Sequence, residues 1–297
     1  MQMVAEFLNM TCRARLLFTL TKEGRRVVRA TIALRTRAHF LILFCSFLFC
    51  MCTPAQTLRI AAAADLQFAL PDLAAQHEKQ SGVKLAITYG SSGNFFAQIQ
   101  NGAPFDLFLS ADVDYPQKLI DAGLAVPDSL QPYAVGHLVL WYPKDSPLNP
   151  LEGDLKTLLD PRVQKIAIAN PEHAPYGRVA VAALRNAGLY DQVKPKLVFG
   201  ENISQAAQFV QSGSAQAGLI ALSFAFSPAM AGGKWVGIPL PNLGSWLLQA
   251  AVVLKSSPNR QAASAFLSFL KTTEAQNILK HYGFAPPDQF PTGTAKP

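Results

Sequence analysis

The sequence predicts an α/β protein built as two lobes around a cleft, on three observations. From Thr57 onward, short apolar runs alternate with stretches of helical spacing. The alternation falls into two separate series, joined by strand-like crossovers near 137–144 and 246–254. No internal repeat or low-complexity tract interrupts it. Strands alternating with helices of this length specify parallel sheets. In such open sheets, ligands sit beyond the carboxyl ends of the strands, beside helix N-termini.

The first series opens with LRIAAAA (58–64), a short apolar strand, and FALPDLAAQHEKQSG (68–82), a helix closed by Gly82. KLAITYG (84–90) alternates as a strand does; NFFAQIQNG (94–102) is helical and stops at Asn-Gly. DLFLSAD (106–112) is a strand running into a loop, followed by the helix YPQKLIDAGL (115–124). HLVLWYPK (137–144) is a strong strand. The second series comprises KIAIAN (165–170), a helix from Arg178 to Ala187, KLVFGE (196–201), a helix from Ser204 to Ser212, and AGLIALSFA (217–225). GGKWVGIPLPNLG (232–244) reads as a loop, LLQAAVVLK (247–255) as a strand, and helices over 260–272 and 273–284 close the chain. This places residues 56–138 and 249–297 in one lobe and 139–248 in the other, with a hinge at the crossovers.

Charge separates a leader from this body. Residues 1–55 hold eight of the 26 basic side chains and two of the 19 acidic ones, which leaves 18 and 17, a net of +1, for residues 56–297. A nucleic-acid role loses its main support once the basicity is confined to the N-terminus. The Arg-rich stretch precedes an apolar run, HFLILFCSFLFCMC (39–52), and then TPAQT, the order of a secretory signal peptide cleaved near Ala55. The run is short for a transmembrane span, so a retained anchor is the lesser alternative. Arg25-Arg26 hints at twin-arginine export, though its surroundings fit poorly. Phe49 before Cys50 and Met51 before Cys52 argue against lipidation. All four cysteines (Cys12, Cys45, Cys50, Cys52) fall in the leader, so the exported chain holds no thiol or disulfide.

The strand ends supply a consistent set of loops: Ala63-Ala64-Asp65, Gly90-Ser91-Ser92-Gly93, Ser110-Ala111-Asp112, NPEHAPYG (170–177), ENIS (201–204) and ALSF (221–224). They offer hydroxyls and backbone N–H groups and few cations. Neutral donors of this kind suit a small, fully ionised oxyanion, held by hydrogen-bond count and size. Affinity would then be nearly flat above about pH 6, and a phosphate proton would find no acceptor. Ser92, at the cleft mouth, would contribute to binding and little to stability. Asp65 reads as a helix N-cap. His173 with Glu172 lacks a second His or Cys at metal-ligand spacing. Asp106 and Asp112 read as capping and loop residues before they read as an acid–base pair.

AAAADLQFAL, YGSSGNFFAQIQNGAPFDLFLSAD, ANPEHAPYG, ENISQAAQFVQSGSAQAGLIAL and LKHYGF, in this order, resemble the periplasmic molybdate-binding proteins of ABC importers over residues 57–286. The resemblance implies a two-lobed periplasmic-binding-protein fold of type II. It implies a monomer in the periplasm that binds molybdate or tungstate without a cofactor or direct metal ligands, hands it to a membrane permease, and is not an enzyme. Contacts carried over are Ala64 and Asp65 on the first loop, Ser92 with Ser91 on the second, Tyr176, and the Ile203 backbone N–H. Asp65 departs from the family pattern: a carboxylate would repel a dianion, so it is expected to cap its helix and offer only its N–H. Ala221 stands where relatives place a tyrosine, and Tyr176 is expected to supply the phenol. The alternatives are a receptor of the same fold for sulfate, phosphate, iron or a small organic acid, and an exported enzyme using Asp106, Asp112 or His173.

Overall fold

A computed structural model describes residues 57–150, 154–240 and 247–289. The leader (1–55), the 241–246 part of the second connection and residues 290–297 lie outside them. Two five-stranded sheets carry the fold. The first comprises β1 (Thr57–Ala63), β2 (Lys84–Gly90), β3 (Leu107–Ser110), β4 (Gln131–Val135) and β10 (Leu248–Val253), in the order β2-β1-β3-β10-β4. The second comprises β5 (Leu138–Tyr142), β6 (Ile166–Ala169), β7 (Leu197–Gly200), β8 (Ala217–Ala221) and β9 (Lys234–Gly237), in the order β7-β6-β8-β5-β9. Each has a parallel core, β2-β1-β3 or β7-β6-β8, extended by two antiparallel strands.

The helices are α1 (Ala69–Ser81), α2 (Ser92–Gln100), α3 (Asp114–Asp121), α4 (Pro175–Asn186), α5 (Tyr190–Val193), α6 (Ile203–Gln211), α7 (Leu222–Ala225), α8 (Arg260–Leu270) and α9 (Thr273–His281). Local chemistry sets their ends. Gly82, at φ 71, stops α1 with its N–H on Glu78 O; the Ser91, Asn202 and Thr272 side chains cap α2, α6 and α9. The expected helix from Arg178 begins at Pro175 instead. Proline at the first turn loses no hydrogen bond and presets φ, so Tyr176 sits at the helix N-terminus. The helix expected from Asn94 likewise begins two residues earlier, at Ser92.

The crossovers differ from expectation in kind. β5 pairs only within the second sheet and β10 only within the first. The chain crosses at Gly136-His137, between β4 and β5, and returns between Gly237 and Leu248. Two strands escaped the sequence pattern. β4 contains Pro132, tolerated because β4 is an edge strand. β9 is a four-residue edge strand with alternating exposure, embedded in a glycine- and proline-rich stretch.

Both faces of the first sheet are covered. Leu58, Ile60, Leu70 and Phe266 pack on one side, and Ala61, Phe95, Phe108 and Leu119 on the other. A third cluster around Ile166, Ile168, Val179 and Leu219 fills the second lobe. With no cysteine after residue 52, these cores carry the stability. Among the described residues no helix is long and apolar enough to cross a membrane.

Candidate ligand-binding cleft

The carboxyl ends of the strands face one another across a small cleft. Five chain segments line it: Ala63, Ala64 and Asp65 after β1; Gly90, Ser91 and Ser92 after β2; Ala111 after β3; Ala174, Pro175 and Tyr176 at α4; Asn202 and Ile203 at α6. All six residues expected at the site, Ala64, Asp65, Ser91, Ser92, Tyr176 and Ile203, are therefore brought together. The N-termini of α2, α4 and α6 meet here, each with a partial positive charge and N–H groups beyond its own hydrogen-bond ladder. No lining residue is basic.

The hydroxyls are oriented by their own hydrogen bonds. Ser91 Oγ accepts from Asn94 N at 3.4 Å and Ser92 Oγ from Ala111 N at 3.0 Å. With an N–H on each oxygen, each hydroxyl proton is left to donate. The Asn202 side chain accepts from Ser204 N and Gln205 N, which leaves the Ile203 N–H out of the cap.

Asp65 is not a cap. It sits in a short 3-10 turn, Ala64–Leu66, whose N-cap is Ala63, and its side chain is fully buried. Tyr176 Oη donates to Asp65 Oδ2 at 3.0 Å, and Gln249 Nε2 donates to the same oxygen. Asp65 Oδ1 is buried without a partner. Burial pushes the carboxyl up to about 6, although hydrogen bonds from Gln249, Tyr176 and the Asp65 and Leu66 backbone N–H groups pull the other way. Tyr176 thus lines the cleft, but its phenol proton points to Asp65, contrary to the expectation that it serves a ligand. Ala221 is buried and lies outside the lining.

The residues named for an enzyme are occupied elsewhere. Asp106 precedes β3, at the end of the strand away from the cleft. It accepts from Arg59 N (2.8 Å), Arg59 Nε, Ser257 Oγ and Asn259 Nδ2. Asp112 Oδ1 accepts from Ser110 Oγ and Tyr115 N, and Oδ2 meets Arg178 Nη2 at 2.5 Å. His173 Nε2 lies 2.9 Å from Glu201 O. Among the described residues, no group of three or more His, Cys, Asp or Glu could hold a metal ion.

Residues 58–285 match the family described as bacterial extracellular solute-binding protein. The chain belongs to that family. It is similar to the molybdate-binding protein ModA of Rhodobacter capsulatus, at 39% identity over 78% of this chain and 90% of the relative. The solved periplasmic molybdate-binding protein of Azotobacter vinelandii superposes with a TM-score of 0.72 at 36% identity, covering 77% of this chain and 99% of that one. The sulfate-binding protein SubI of Mycobacterium tuberculosis shares the fold, with a TM-score of 0.66 at 18% identity over 79% of this chain and 88% of that one.

In this solute-binding protein the two lobes meet directly around the cleft. Gly93 N donates to His173 O at 2.8 Å, Ser204 Oγ to Gln67 Oε1 at 2.9 Å and Ser223 Oγ to Asp65 O at 2.8 Å. Asn94 Nδ2 donates to Glu201 Oε1, and Arg178 reaches across to Asp112 and Tyr115. Beneath the cleft floor, Tyr133 Oη lies 2.8 Å from Gln249 Oε1 and 3.0 Å from Ser110 O. Gly136 backs this network: a Cβ there would stand 2.1 Å from Tyr176 Oη. Sequence reasoning missed Gln249, Tyr133, Ser223 and Arg178. Gln249 had a readable signal, the single polar side chain within the buried run of β10.

Proposed function

We propose that this protein captures a tetrahedral oxyanion, molybdate or tungstate, outside the cytoplasm and delivers it to the membrane permease of an ABC importer. The observation that carries the reading is the cleft itself: three helix N-termini, two hydroxyls with protons to donate and no cation, at one small site between two lobes. A site of neutral dipoles replaces a hydration shell without a fixed counter-charge. Sulfate, with shorter bonds, leaves some donors out of reach. The likeness to proteins named for molybdate supports this choice of ligand.

The reading needs no cofactor, no direct metal ligand and no turnover, and it takes the protein to be a periplasmic monomer. The leader is removed near Ala55. An intact mass of the exported protein without residues 1–55 is expected; retention of the Arg cluster would contradict it. In a thermal-shift screen, ligand at a hundredfold excess over Kd adds about 2.7 kcal/mol. At roughly 2–4 °C per kcal/mol for a chain of this size, molybdate and tungstate are expected to raise Tm by about 5–10 °C. Sulfate at matched concentration is expected to do much less. A second reading, a receptor for a hydrogen-bearing anion such as phosphate, is favoured by one observation: Asp65 Oδ1 offers the acceptor thought absent from the site. An equal or larger shift from phosphate would select it.

A further inference from the structure

Every lining residue but one is neutral. The exception, Asp65, would place an ionised carboxylate against a dianion, in a cleft where the nearby guanidinium of Arg178 is committed to Asp112 and Tyr115. Its two oxygens have different surroundings. Oδ2 is fully engaged by Tyr176 and Gln249, from opposite lobes, and this fixes the carboxyl plane. Oδ1 is buried, accepts no well-formed hydrogen bond although the Asp65 and Leu66 N–H groups act on the carboxyl, and belongs to a residue that lines the cleft. A buried, poorly paired acceptor beside an anion site is costly twice over, from lost hydration and from repulsion of the ligand. Protonation removes both costs, because Oδ1–H becomes one more donor among the donors of the site.

We propose that Asp65 binds the oxyanion as a carboxylic acid, Oδ1–H donating to a ligand oxygen, so that capture of one dianion takes up one proton. The inference rests on the oxyanion reading above. One proton moves from solvent to Oδ1 and no ligand bond breaks. The groups that touch Asp65, and the other titratable groups near the cleft, do not supply this proton. Tyr176 on α4 and Tyr133 on β4 are held above the ordinary phenol range by burial, with the charge of Asp65 adding to it. Gln249 on β10 and Ser223 on α7 do not titrate. His137, beside the crossing glycine, is lowered by burial, which keeps it neutral near pH 7. Asp112 is raised by burial, with Arg178 opposing, and stays in its ion pair. Burial has already moved Asp65 to about 6 in the ligand-free protein, and a bound dianion pushes it further in the same direction.

This replaces the expectation of pH-independent affinity. Above about pH 6.5, each unit of pH removes the binding-competent protonated form tenfold, so Kd for molybdate is expected to rise about tenfold per unit up to about pH 8.5. Calorimetry of the wild-type protein in two buffers of different ionisation heat is expected to report about one proton taken up at pH 8. Asp65→Asn supplies an N–H without a proton. Its Kd is expected to be flat over the same range, with no uptake, and tighter than wild type at pH 8.5. The ligand-free protein gives a second readout. The folded carboxyl is raised above its unfolded value, so its contribution to stability is full below about pH 4 and lost as pH rises through about 6. The Tm of Asp65→Asn at pH 8 should therefore exceed that of wild type. Molybdate binding with a flat wild-type profile and no proton uptake would overturn the proton linkage alone. An Asp65→Asn slope equal to wild type would do the same. No molybdate binding at any pH would overturn the oxyanion reading together with it.

Discussion

Gly93→Ala is expected to weaken molybdate binding by about ten- to a hundredfold while leaving the Tm of the ligand-free protein nearly unchanged. A Cβ at Gly93 would stand 2.6 Å from His173 O and 2.6 Å from Tyr115 Oη. The tyrosine tip can yield. The His173 carbonyl is backbone of the opposite lobe, and it accepts the Gly93 N–H at 2.8 Å. The added methyl therefore opposes lobe closure more than the fold of either lobe. Overpacking of this kind costs roughly 1–3 kcal/mol, and each 1.4 kcal/mol is about tenfold in affinity. Without ligand the variant relieves this strain by parting its lobes at the crossing segments, a hinge motion of binding proteins; with ligand bound the lobes must stay closed, so the cost falls on binding. Titration and thermal unfolding of the same variant check both halves. Wild-type affinity would show that the bound state does not use this contact.

Ser92→Ala is expected to reduce affinity by a comparable factor and, unlike Gly93→Ala, to lower stability as well. The hydroxyl proton lost is a donor to a charged ligand, worth about 1.5–3 kcal/mol. Its oxygen also accepts from Ala111 N at 3.0 Å, and Ser92 is 1% exposed. Truncation leaves a buried N–H without that acceptor, at a further cost of about 1–3 kcal/mol. The sequence had placed this serine at a cleft mouth, where only binding would suffer. The Ala111 contact corrects that. Unchanged affinity with a large loss of Tm would show that Ser92 ties α2 to β3 and nothing more.

How legible the site was depended on how local its signals were. Gly-Ser-Ser-Gly before an amphipathic run is a helix-cap pattern contained in four residues, and the structure builds a capped helix N-terminus from it. Ile203 came from the family resemblance alone; the Asn202 cap beside it is visible only in the structure. Asp65 shows the limit. Its residue type suggests an N-cap, but its partners, Tyr176 and Gln249, lie 111 and 184 residues away. No window of sequence holds that triad. The same holds for Arg178, whose ion pair with Asp112 spans the lobes. The fold was legible where periodicity was strong, as in the strand–helix series. It failed at β4 and β9, where a proline and a short edge strand erase the alternation. The crossovers were found close to their places but read as shared strands, because hydropathy cannot tell which sheet a strand joins.

The central claim is that the cleft selects a tetrahedral oxyanion by size, through neutral donors and one protonated carboxyl. Calorimetric titration of the mature chain at pH 6.5 with molybdate, and then with sulfate and phosphate in turn, tests it most directly. One molybdate per chain is expected to bind at least about a hundredfold more tightly than either smaller anion, a difference of about 2.7 kcal/mol. Equal affinity for sulfate and molybdate would contradict the account and leave a generic oxyanion receptor in its place.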